Sequence, residues 1–398
     1  MRENAPIVMK FGGTSLAAAA DRDRAAEAIS AATAAGNRVI VVVSAMGRLG
    51  APYATDTLIG LTASADVDMD GQAKDLVLSC GELISASVFA GHLRKLGVEA
   101  RPLSGPRAGI FVVGGFGRGR IERIDVSPIS KLLEKGVVPV VAGFQGGNVD
   151  GDVCTLLRGG SDVTACALGV AFEAQRVEIF TDVPGVMTAD PRVVPAAQLL
   201  DAATYREVSA LAGNGAKVIH PDAVSISEEH GLEIAVRSTN GDSPGTRIRS
   251  LGSPRRVSGI ATFPPCSQFE LKPEAHGSGA PDYDVFDWLG ARGISVHFIE
   301  ARPGEISFLV ERTFKADVTH LLDEHGMHYT VDDDFARIAI IGSGMTGQPG
   351  LMALVMSVLQ DAGIVVHRAT DSRTSISCLV RNDCVERATN VLHEAFGL

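Results

Sequence analysis

The sequence has few aromatic residues, no paired cysteines, no long apolar run and no excess of positive charge. Aromatic residues make up 5% of its 398 residues and the formal net charge is -11 at pH 7, so neither a nucleic acid nor an anionic membrane is expected as a partner. The six cysteines form no C-x-x-C pair, which argues against zinc and against a disulfide framework. Cys80, Cys154, Cys166 and Cys378 lie in apolar patterns and are expected to be buried thiols. Such thiols indicate a reduced, cytoplasmic setting. No run of eighteen apolar residues or signal-peptide core is present, so no transmembrane helix is expected.

Small apolar residues are abundant instead, and this composition suits an α/β architecture. A chain of 398 residues is expected to form about two or three domains. Residues 39–43 and 137–141 are continuous β-branched runs, which are typical of strands covered on both faces. Strands alternate with helices, and glycine-rich turns follow the strands. The pattern predicts an open parallel sheet with ligands at the carboxyl ends of its strands.

The stretch from Ile7 to Ser15 reads as a buried strand that runs into a glycine pair and the start of a helix. Glycines allow backbone N–H groups to approach an anion closely, and a helix N-terminus adds positive potential. A glycine pair alone is equally typical of an ordinary strand-to-helix turn. However, an unpaired Lys10 in an apolar strand would be costly to bury, so the sequence favours a bound anion, preferably a phosphate.

Two further stretches place charged residues among apolar or glycine neighbours. A helix is predicted from Ala73 to Leu96, with Glu82 between apolar residues in its middle. The run from Leu157 to Asp162 contains paired glycines, and Ser161 or Asp162 can cap the helix that follows. By contrast, the loop at 181–192 is explained on composition alone by a solvated connection.

The character of the sequence changes after residue 249. Residues 250–257 are polar and turn-rich, as in a linker. Beyond them, Gly293-Ile294-x-Val296-His297 recurs 70 residues later as Gly363-Ile364-x-Val366-His367. The repeat predicts two small α+β modules at 258–335 and 336–398. Neither module holds an obvious catalytic constellation, so regulation or assembly is expected of them.

The motifs taken together resemble the aspartate kinase family, which has the amino acid kinase fold followed by two ACT domains. The resemblance covers essentially the whole chain, and these are the matching motifs: Lys10-Phe11-Gly12-Gly13-Thr14-Ser15, Ser44-Ala45-Met46-Gly47, Ser79-Cys80-Gly81-Glu82, Ala142-Gly143-Phe144-Gln145-Gly146, Arg158-Gly159-Gly160-Ser161-Asp162, Phe180-Thr181-Asp182-Val183-Pro184-Gly185 through Pro191-Arg192, and Gly215-Ala216-Lys217-Val218-Ile219-His220-Pro221. It implies an open, mostly parallel catalytic sheet at 1–249 and two ferredoxin-like ACT domains. It also implies that MgATP phosphorylates L-aspartate to 4-phospho-L-aspartate, the first step towards lysine, threonine and methionine.

The resemblance also implies roles for individual residues. The catalytic residues would be Lys10, Asp162 and Lys217, with Asp162 organising Lys10 or the metal. The substrate-binding residues would be Ser44, Glu82 for the α-ammonium, Arg158 for the α-carboxylate, and Ser161. The residues that bind ATP would be Lys10, Phe11, Gly12, Gly13, Thr181, Asp182, Met187, Asp190, Arg192, Lys217 and Val218. Mg²⁺ is expected with the ATP, and no protein ligand is assigned to it.

This chemistry requires positioning rather than a general base. The β-carboxylate of aspartate has a pKa of roughly 3.9 and is already ionised at pH 7. The difficulty is to bring it up to a polyanionic triphosphate, so cations and Mg²⁺ must neutralise charge during an in-line transfer. The ACT domains imply at least a homodimer and an amino-acid effector bound at an ACT interface.

Three positions depart from the family pattern. Leu157 stands where the family commonly has glycine, and a leucine at positive φ would be strained by ~1–3 kcal/mol. Met187 replaces a frequent tyrosine, and Asp222 replaces a frequent arginine. Leu157 motivates one alternative, a kinase for a different carboxylate acceptor. A catalytically inactive sensor subunit is the other, and it is disfavoured because these charged residues are retained: Lys10, Glu82, Arg158, Asp162, Asp182 and Lys217.

Overall fold

The computed structural model describes residues 5–64, 68–216, 218–241, 243–250, 255–272, 283–302, 304–345 and 348–398. The chain forms two compact units. The first consists of Met1–Val186, Leu199–Ala212 and Lys217–Ser253, and the second of Met187–Gln198, Gly213–Ala216 and Pro254–Leu398.

The first unit contains twelve strands and seven α-helices among its described residues. Its strands are β1 (Ile7–Phe11), β2 (Val39–Val43), β3 (Ala100–Leu103), β4 (Ile110–Val113), β5 (Arg120–Ile124), β6 (Val138–Ala142), β7 (Gln145–Gly147), β8 (Val153–Thr155), β9 (Arg176–Thr181), β10 (Ala202–Ala203), β11 (Ile234–Ser238) and β12 (Thr246–Ile248). Its helices are α1 (Ala19–Ala34), α2 (Thr55–Thr62), α3 (Gly71–Lys95), α4 (Ser127–Leu133), α5 (Gly160–Ala171), α6 (Tyr205–Gly213) and α7 (Pro221–His230).

An eight-stranded sheet forms the centre of this unit, in the order β10-β12-β11-β9-β1-β2-β6-β3. Its pairings are parallel except for β11 with β12. The five residues of β2 are all buried, as expected for a β-branched strand covered on both faces. A second sheet has the order β5-β4-β7-β8. The predicted α/β class and the mostly parallel sheet are therefore confirmed.

Register aligns the carboxyl ends of the central strands. Phe11 at the end of β1 pairs with Val43 of β2 and with Phe180 of β9, and Val43 pairs with Ala142 of β6. The residues that follow these strands therefore meet at one edge of the sheet. They are the glycine pair after β1, the Ser44 loop, the Gly143 loop and the loop that begins at Asp182.

Helix α3 is the one described helix long and apolar enough, by length and composition, to cross a membrane. The sequence predicts no such segment. Nine of its residues are buried, Asp75 and Glu82 among them, and it contacts β2, β3 and β6. The core helix of a globular domain passes the same test of length and composition, and α3 has this position in the first unit.

The second unit contains seven strands and four α-helices among its described residues. They are β13 (Gly259–Thr262), β14 (Cys266–Lys272), α8 (Asp284–Ala291), β15 (His297–Arg302), β16 (Glu305–Glu311), α9 (Lys315–Glu324), β17 (His328–Ile341), α10 (Leu351–Asp361), β18 (Arg368–Asp371), β19 (Ser375–Arg381) and α11 (Val385–Phe396). The predicted repeat is confirmed, since β15-β16-α9 and β18-β19-α11 are copies of one arrangement. Ile306 and Ile376, which are equivalent in the repeat, are 1% and 2% exposed and lie in two separate hydrophobic clusters.

The two modules share one sheet through β17. The first half of this strand pairs with β14, and its second half pairs with β13 and β19. Strand β13 thus joins the second module, although it precedes the first module in sequence. The predicted boundary between residues 335 and 336 falls inside β17.

Candidate active site

A cavity of about 420 Å³ lies at the strand ends of the first unit. It brings together side chains that are far apart in sequence and that arrive from β1, the loop after β2, α3 and the start of α5. Among the predicted site residues, its lining includes Lys10, Gly13, Ser44, Glu82, Arg158, Ser161 and Asp162.

Lys10 and Asp162 form an ion pair in this cavity. The Lys10 Nζ lies 2.8 Å from Asp162 Oδ1, and each side chain is 12% exposed. Asp162 Oδ2 also accepts a hydrogen bond from the His220 N–H at 3.2 Å. Lys10 is therefore already paired with a carboxylate of the chain itself, whereas the sequence favours a bound anion as its partner. The pair keeps a positive group at the end of β1 and fixes its direction.

The two glycines after β1 have a different role from the anion-binding turn that the sequence favours. The Gly12 N–H donates to the Phe180 carbonyl at 3.1 Å, so this amide is already engaged. A Cβ on Gly13 would lie 2.3 Å from the Ala45 carbonyl oxygen, which shows that glycine is needed there for close backbone packing. Phe11 is fully buried and stacks on Phe180 with ring centroids 4.7 Å apart, so its side chain belongs to the core.

Glu82 is a buried carboxylate at the inner end of the cavity. It is 2% exposed, and its Oε1 accepts from the Ala45 N–H at 3.0 Å. Its Oε2 has no hydrogen-bond partner within the described part of the chain. Burial raises the pKa of Glu82 from 4.5 to about 7, against the lowering effect of the Ala45 hydrogen bond. A cationic ligand group at Oε2 would relieve this desolvation.

Arg158 lies at the mouth of the cavity and is 87% exposed. It pairs with Asp56 of α2 at 2.7 Å. Neither α2 nor this partner is predicted from the sequence. Leu157 is not at positive φ, because the described non-glycine residues in that region are Phe144, Glu173 and Phe298. The expected strain at Leu157 is therefore wrong.

The loops around the cavity are closely packed. Gly159 caps α5 at φ +85°, and a Cβ there would lie 2.2 Å from the His220 ring. A Cβ on Gly143 would lie 2.8 Å from Ser161 Oγ. Phe144 lines the cavity at φ 64°, a strained conformation for a non-glycine residue. Nothing in the sequence marked Phe144, because positive φ depends on the packing of the whole loop.

Asp75, which is not among the residues predicted from the sequence, anchors β8 just before the Arg158 loop. It is 1% exposed and accepts from the Thr155 N–H and Oγ1, both at 2.7 Å, and from the Gly117 N–H at 2.9 Å. In the sequence, Asp75 is followed by apolar residues and lies seven positions before Glu82 on the same predicted helix. This pattern could have identified Asp75 as a buried residue.

The residues predicted to bind the nucleotide divide between the two units. In the first unit, Thr181 is the last residue of β9 and Asp182 follows it, and Asp182 pairs with Arg48. Val218 also belongs to the first unit, and Lys217 lies outside the described residues. The other three, Met187, Asp190 and Arg192, belong to the second unit.

The described residues contain no group of three or more His, Cys, Asp or Glu side chains that could hold a metal ion. The cavity nevertheless holds three cationic groups at its lining (Lys10, Arg48 and Arg158), which suits a phosphate-bearing ligand that brings its own metal. Asp182 is an exposed carboxylate at the same edge of the sheet, with the donor chemistry that Mg²⁺ prefers.

Two family models match the chain. The amino acid kinase family matches residues 5–238, and the ACT domain matches residues 338–396. Aspartokinase 1 of Bacillus subtilis is 40% identical over 400 residues, which cover 98% of this chain and 99% of the relative.

Solved structures match over the same length. The structure of Escherichia coli aspartokinase III with aspartate and ADP, described as the R-state, has a TM-score of 0.79 and 25% identity, over 99% of this chain and 100% of the other. The same values hold for that enzyme with lysine and aspartate, described as the T-state. The full-length similarity, together with the fold, shows that this chain belongs to the aspartokinase family.

Proposed function

We propose that the chain transfers the γ-phosphoryl group of MgATP to the β-carboxylate of L-aspartate and forms 4-phospho-L-aspartate. The observation that carries the proposal is the single cavity with Glu82 at its inner end, Arg158 at its mouth and the Lys10–Asp162 pair between them. Membership of the aspartokinase family supports the same reaction, since the Escherichia coli relative binds aspartate and ADP.

The proposed substrate contacts follow from the charges in the cavity. Glu82 has an unpartnered buried oxygen that the α-ammonium of aspartate would pair with. Arg158 would exchange its exposed ion pair with Asp56 for the α-carboxylate, which its planar guanidinium can bind through two hydrogen bonds. With both α-groups anchored, the length of the side chain decides where its carboxylate ends. Glutamate would place it one methylene further on.

Lys10 would stabilise the phosphate charge that develops during transfer. Asp162 holds the Lys10 Nζ in place at 2.8 Å, so the cation needs little reorganisation when the phosphoryl group moves. Mg²⁺, when bound with the nucleotide, would spread the charge of the β- and γ-phosphates. Asp182 and the nucleotide's own phosphates are the groups proposed to hold it. Because the aspartate carboxylate is already ionised, no protein base is proposed.

The residues proposed for the nucleotide itself are Thr181, Asp182, Met187, Asp190, Arg192, Lys217 and Val218. The backbone around Gly12 and Gly13 is proposed to face the phosphates, with the Gly12 amide excluded by its bond to Phe180.

Hydroxylamine trapping of the acyl phosphate tests the reaction. The purified chain is incubated with MgATP and each of a panel of carboxylate acceptors, and aspartyl hydroxamate is expected with L-aspartate only. A product with another acceptor and none with aspartate would contradict the proposal. The ordinary backbone at Leu157 removes the structural reason for expecting a different acceptor.

We propose that the second unit binds an amino-acid effector. A cavity of about 1050 Å³ lies on its shared sheet, lined by residues of both modules. Its charged residues are of both signs, as a zwitterion requires: Glu270, Glu300, Arg302, Glu305, Asp332 and Arg368. The lysine complex of the Escherichia coli relative supports an effector of this class. Inhibition assays with a panel of amino acids would identify it. We also propose that the protein is cytoplasmic and forms a homodimer or a higher homo-oligomer. Light scattering of the purified chain would measure the oligomeric state.

A further inference from the structure

The segment Met187–Gln198 lies in sequence between β9 and β10 of the first unit, yet it packs within the second unit. Its inner face is buried there: Thr188 and Ala189 are each 4% exposed and Val194 is 1% exposed. Its outer face is exposed and includes Pro191 and Arg192. The second unit therefore determines the conformation of a stretch that the catalytic part of the sequence contributes.

Thr188 is the main point of attachment. Its carbonyl accepts from the Ile260 N–H of β13 at 2.7 Å. Gly259 permits this approach, because a Cβ at Gly259 would lie 2.7 Å from the same carbonyl oxygen. On the other side, Thr188 and Gln198 close the segment, with the Thr188 N–H donating to the Gln198 carbonyl at 2.8 Å.

The Thr188 hydroxyl connects the segment to α11. It accepts from the Gln198 N–H at 2.9 Å and lies 2.9 Å from His393 Nε2. Because the oxygen already accepts one hydrogen bond, its own proton is best donated to Nε2, which requires an unprotonated ring nitrogen. Burial lowers the pKa of His393 and so favours the neutral ring. Both groups are nearly inaccessible to water, so the loss of either would leave the other unsatisfied.

Asn390 forms a second attachment from the same face of α11, one turn before His393. Its Nδ2 donates to the Val193 carbonyl at 2.9 Å. The two attachments bracket Asp190, whose carboxylate accepts from the Arg192 N–H at 2.9 Å and from its Nη2 at 2.6 Å. The tract from Ala189 to Arg192 is thus held at both ends by α11.

We propose that Thr188, Asn390 and His393 are positioning residues for the nucleotide, because they hold Met187, Asp190 and Arg192 in the conformation that binds it. This inference rests on the proposed role of these three residues in nucleotide binding. Without the attachments, the segment would have to be ordered when the nucleotide binds, and nucleotide affinity would fall. The proposed aspartate contacts, Glu82 and Arg158, lie outside the segment and would be unaffected.

Steady-state kinetics of the full chain test the proposal. Thr188→Val removes the hydroxyl and His393→Leu removes its acceptor, and each is expected to raise KM for MgATP about tenfold while KM for aspartate is unchanged. His393→Gln keeps an acceptor near the position of Nε2 and should restore the parent KM. The double variant should lose less than the product of the two single effects, because both remove one interaction.

Thr389→Val is the matched control. Thr389 is buried in the same helix, and its hydroxyl donates within α11 to the Val385 carbonyl at 2.7 Å. The Thr389→Val substitution should lower Tm without changing KM for MgATP. Asn390→Ala, at a partly exposed side chain, tests the second attachment if the buried variants do not fold, and a raised KM for MgATP is again expected.

The proposal is wrong if Thr188→Val, His393→Leu and Asn390→Ala change Tm alone, as the control does. A parent chain that does not phosphorylate aspartate would contradict the proposed function instead. Calorimetric titration with MgADP then decides the inference by itself: weaker binding by the variants supports it, and equal binding overturns it.

Discussion

Replacement of Glu82 by glutamine should make the chain more stable and less active at the same time. The pKa of Glu82 is raised from 4.5 to about 7 because the ionised carboxylate is desolvated. The folded state therefore holds the Glu82 proton more tightly than the unfolded state does, and the free energy of unfolding falls as pH rises through this range. The linkage relation gives a loss of about 2.5 kcal/mol between about pH 5 and about pH 8.

Glu82→Gln removes the ionisable group and keeps an oxygen that can accept from the Ala45 N–H. In urea unfolding without ligands, the stability gain of Glu82→Gln over the parent should be small at about pH 5 and about 2.5 kcal/mol larger at about pH 8. The parent should bind aspartate more weakly as pH falls below about 7, because the carboxylate that pairs with the ammonium becomes protonated. KM for aspartate should be raised and nearly independent of pH in the variant.

Glu178 provides the control for this experiment. It is also 2% exposed, but Arg176 pairs with it at 2.7 Å, so Glu178→Gln should lower stability at pH 8 rather than raise it. If the stability difference between the parent and Glu82→Gln does not grow with pH, the buried carboxylate is not the source of the shift and the reasoning fails.

Three further predictions concern the same cavity. Lys10→Met should lower kcat about 10²–10³-fold with an unchanged circular dichroism spectrum, and a variant as active as the parent would refute the assigned role. Asp56→Asn releases Arg158 from its ion pair and should lower KM for aspartate roughly two- to fivefold, whereas an unchanged or raised KM would show that the pair does not compete with substrate. Gly159→Ala should lower the free energy of unfolding by more than Gly36→Ala, which costs roughly 1 kcal/mol for its positive φ alone, because only the first clashes with a neighbouring ring. Urea titration measures both, and equal losses would mean that the ring moves aside.

The sequence predicted the central elements of the catalytic unit well. The β-branched runs at 39–43 and 137–141 are buried strands, the second shifted by one residue, and the long helix around Glu82 extends from Gly71 to Lys95. These elements bury apolar residues with a clear period, and their local preference agrees with their final environment. The glycine-containing motifs at their ends also reach one cavity, as expected for a parallel sheet.

The predictions from the sequence fail where contacts between distant segments determine the burial or the hydrogen-bond partner of a residue. Cys80 is exposed although its sequence neighbours are apolar, because α3 is only weakly amphipathic and its buried face is set by the sheet. The Gly12 amide is taken by Phe180, a pairing that depends on β9 lying beside β1. The place of Met187–Gln198 in the second unit depends on Thr188 meeting β13 and α11, more than seventy residues away in sequence.

Strand β17 has a consequence for how the C-terminal half can be divided. One uninterrupted run of 14 residues serves as an inner strand for both modules, and its far half also carries β13, which comes from the start of this region. A truncation between the modules would divide β17, so that each module would lose a central strand. The neighbouring strands would then have unpaired backbone N–H and C=O groups. We therefore expect the two modules to fold and unfold as one cooperative unit, and a truncation between them to give no folded product.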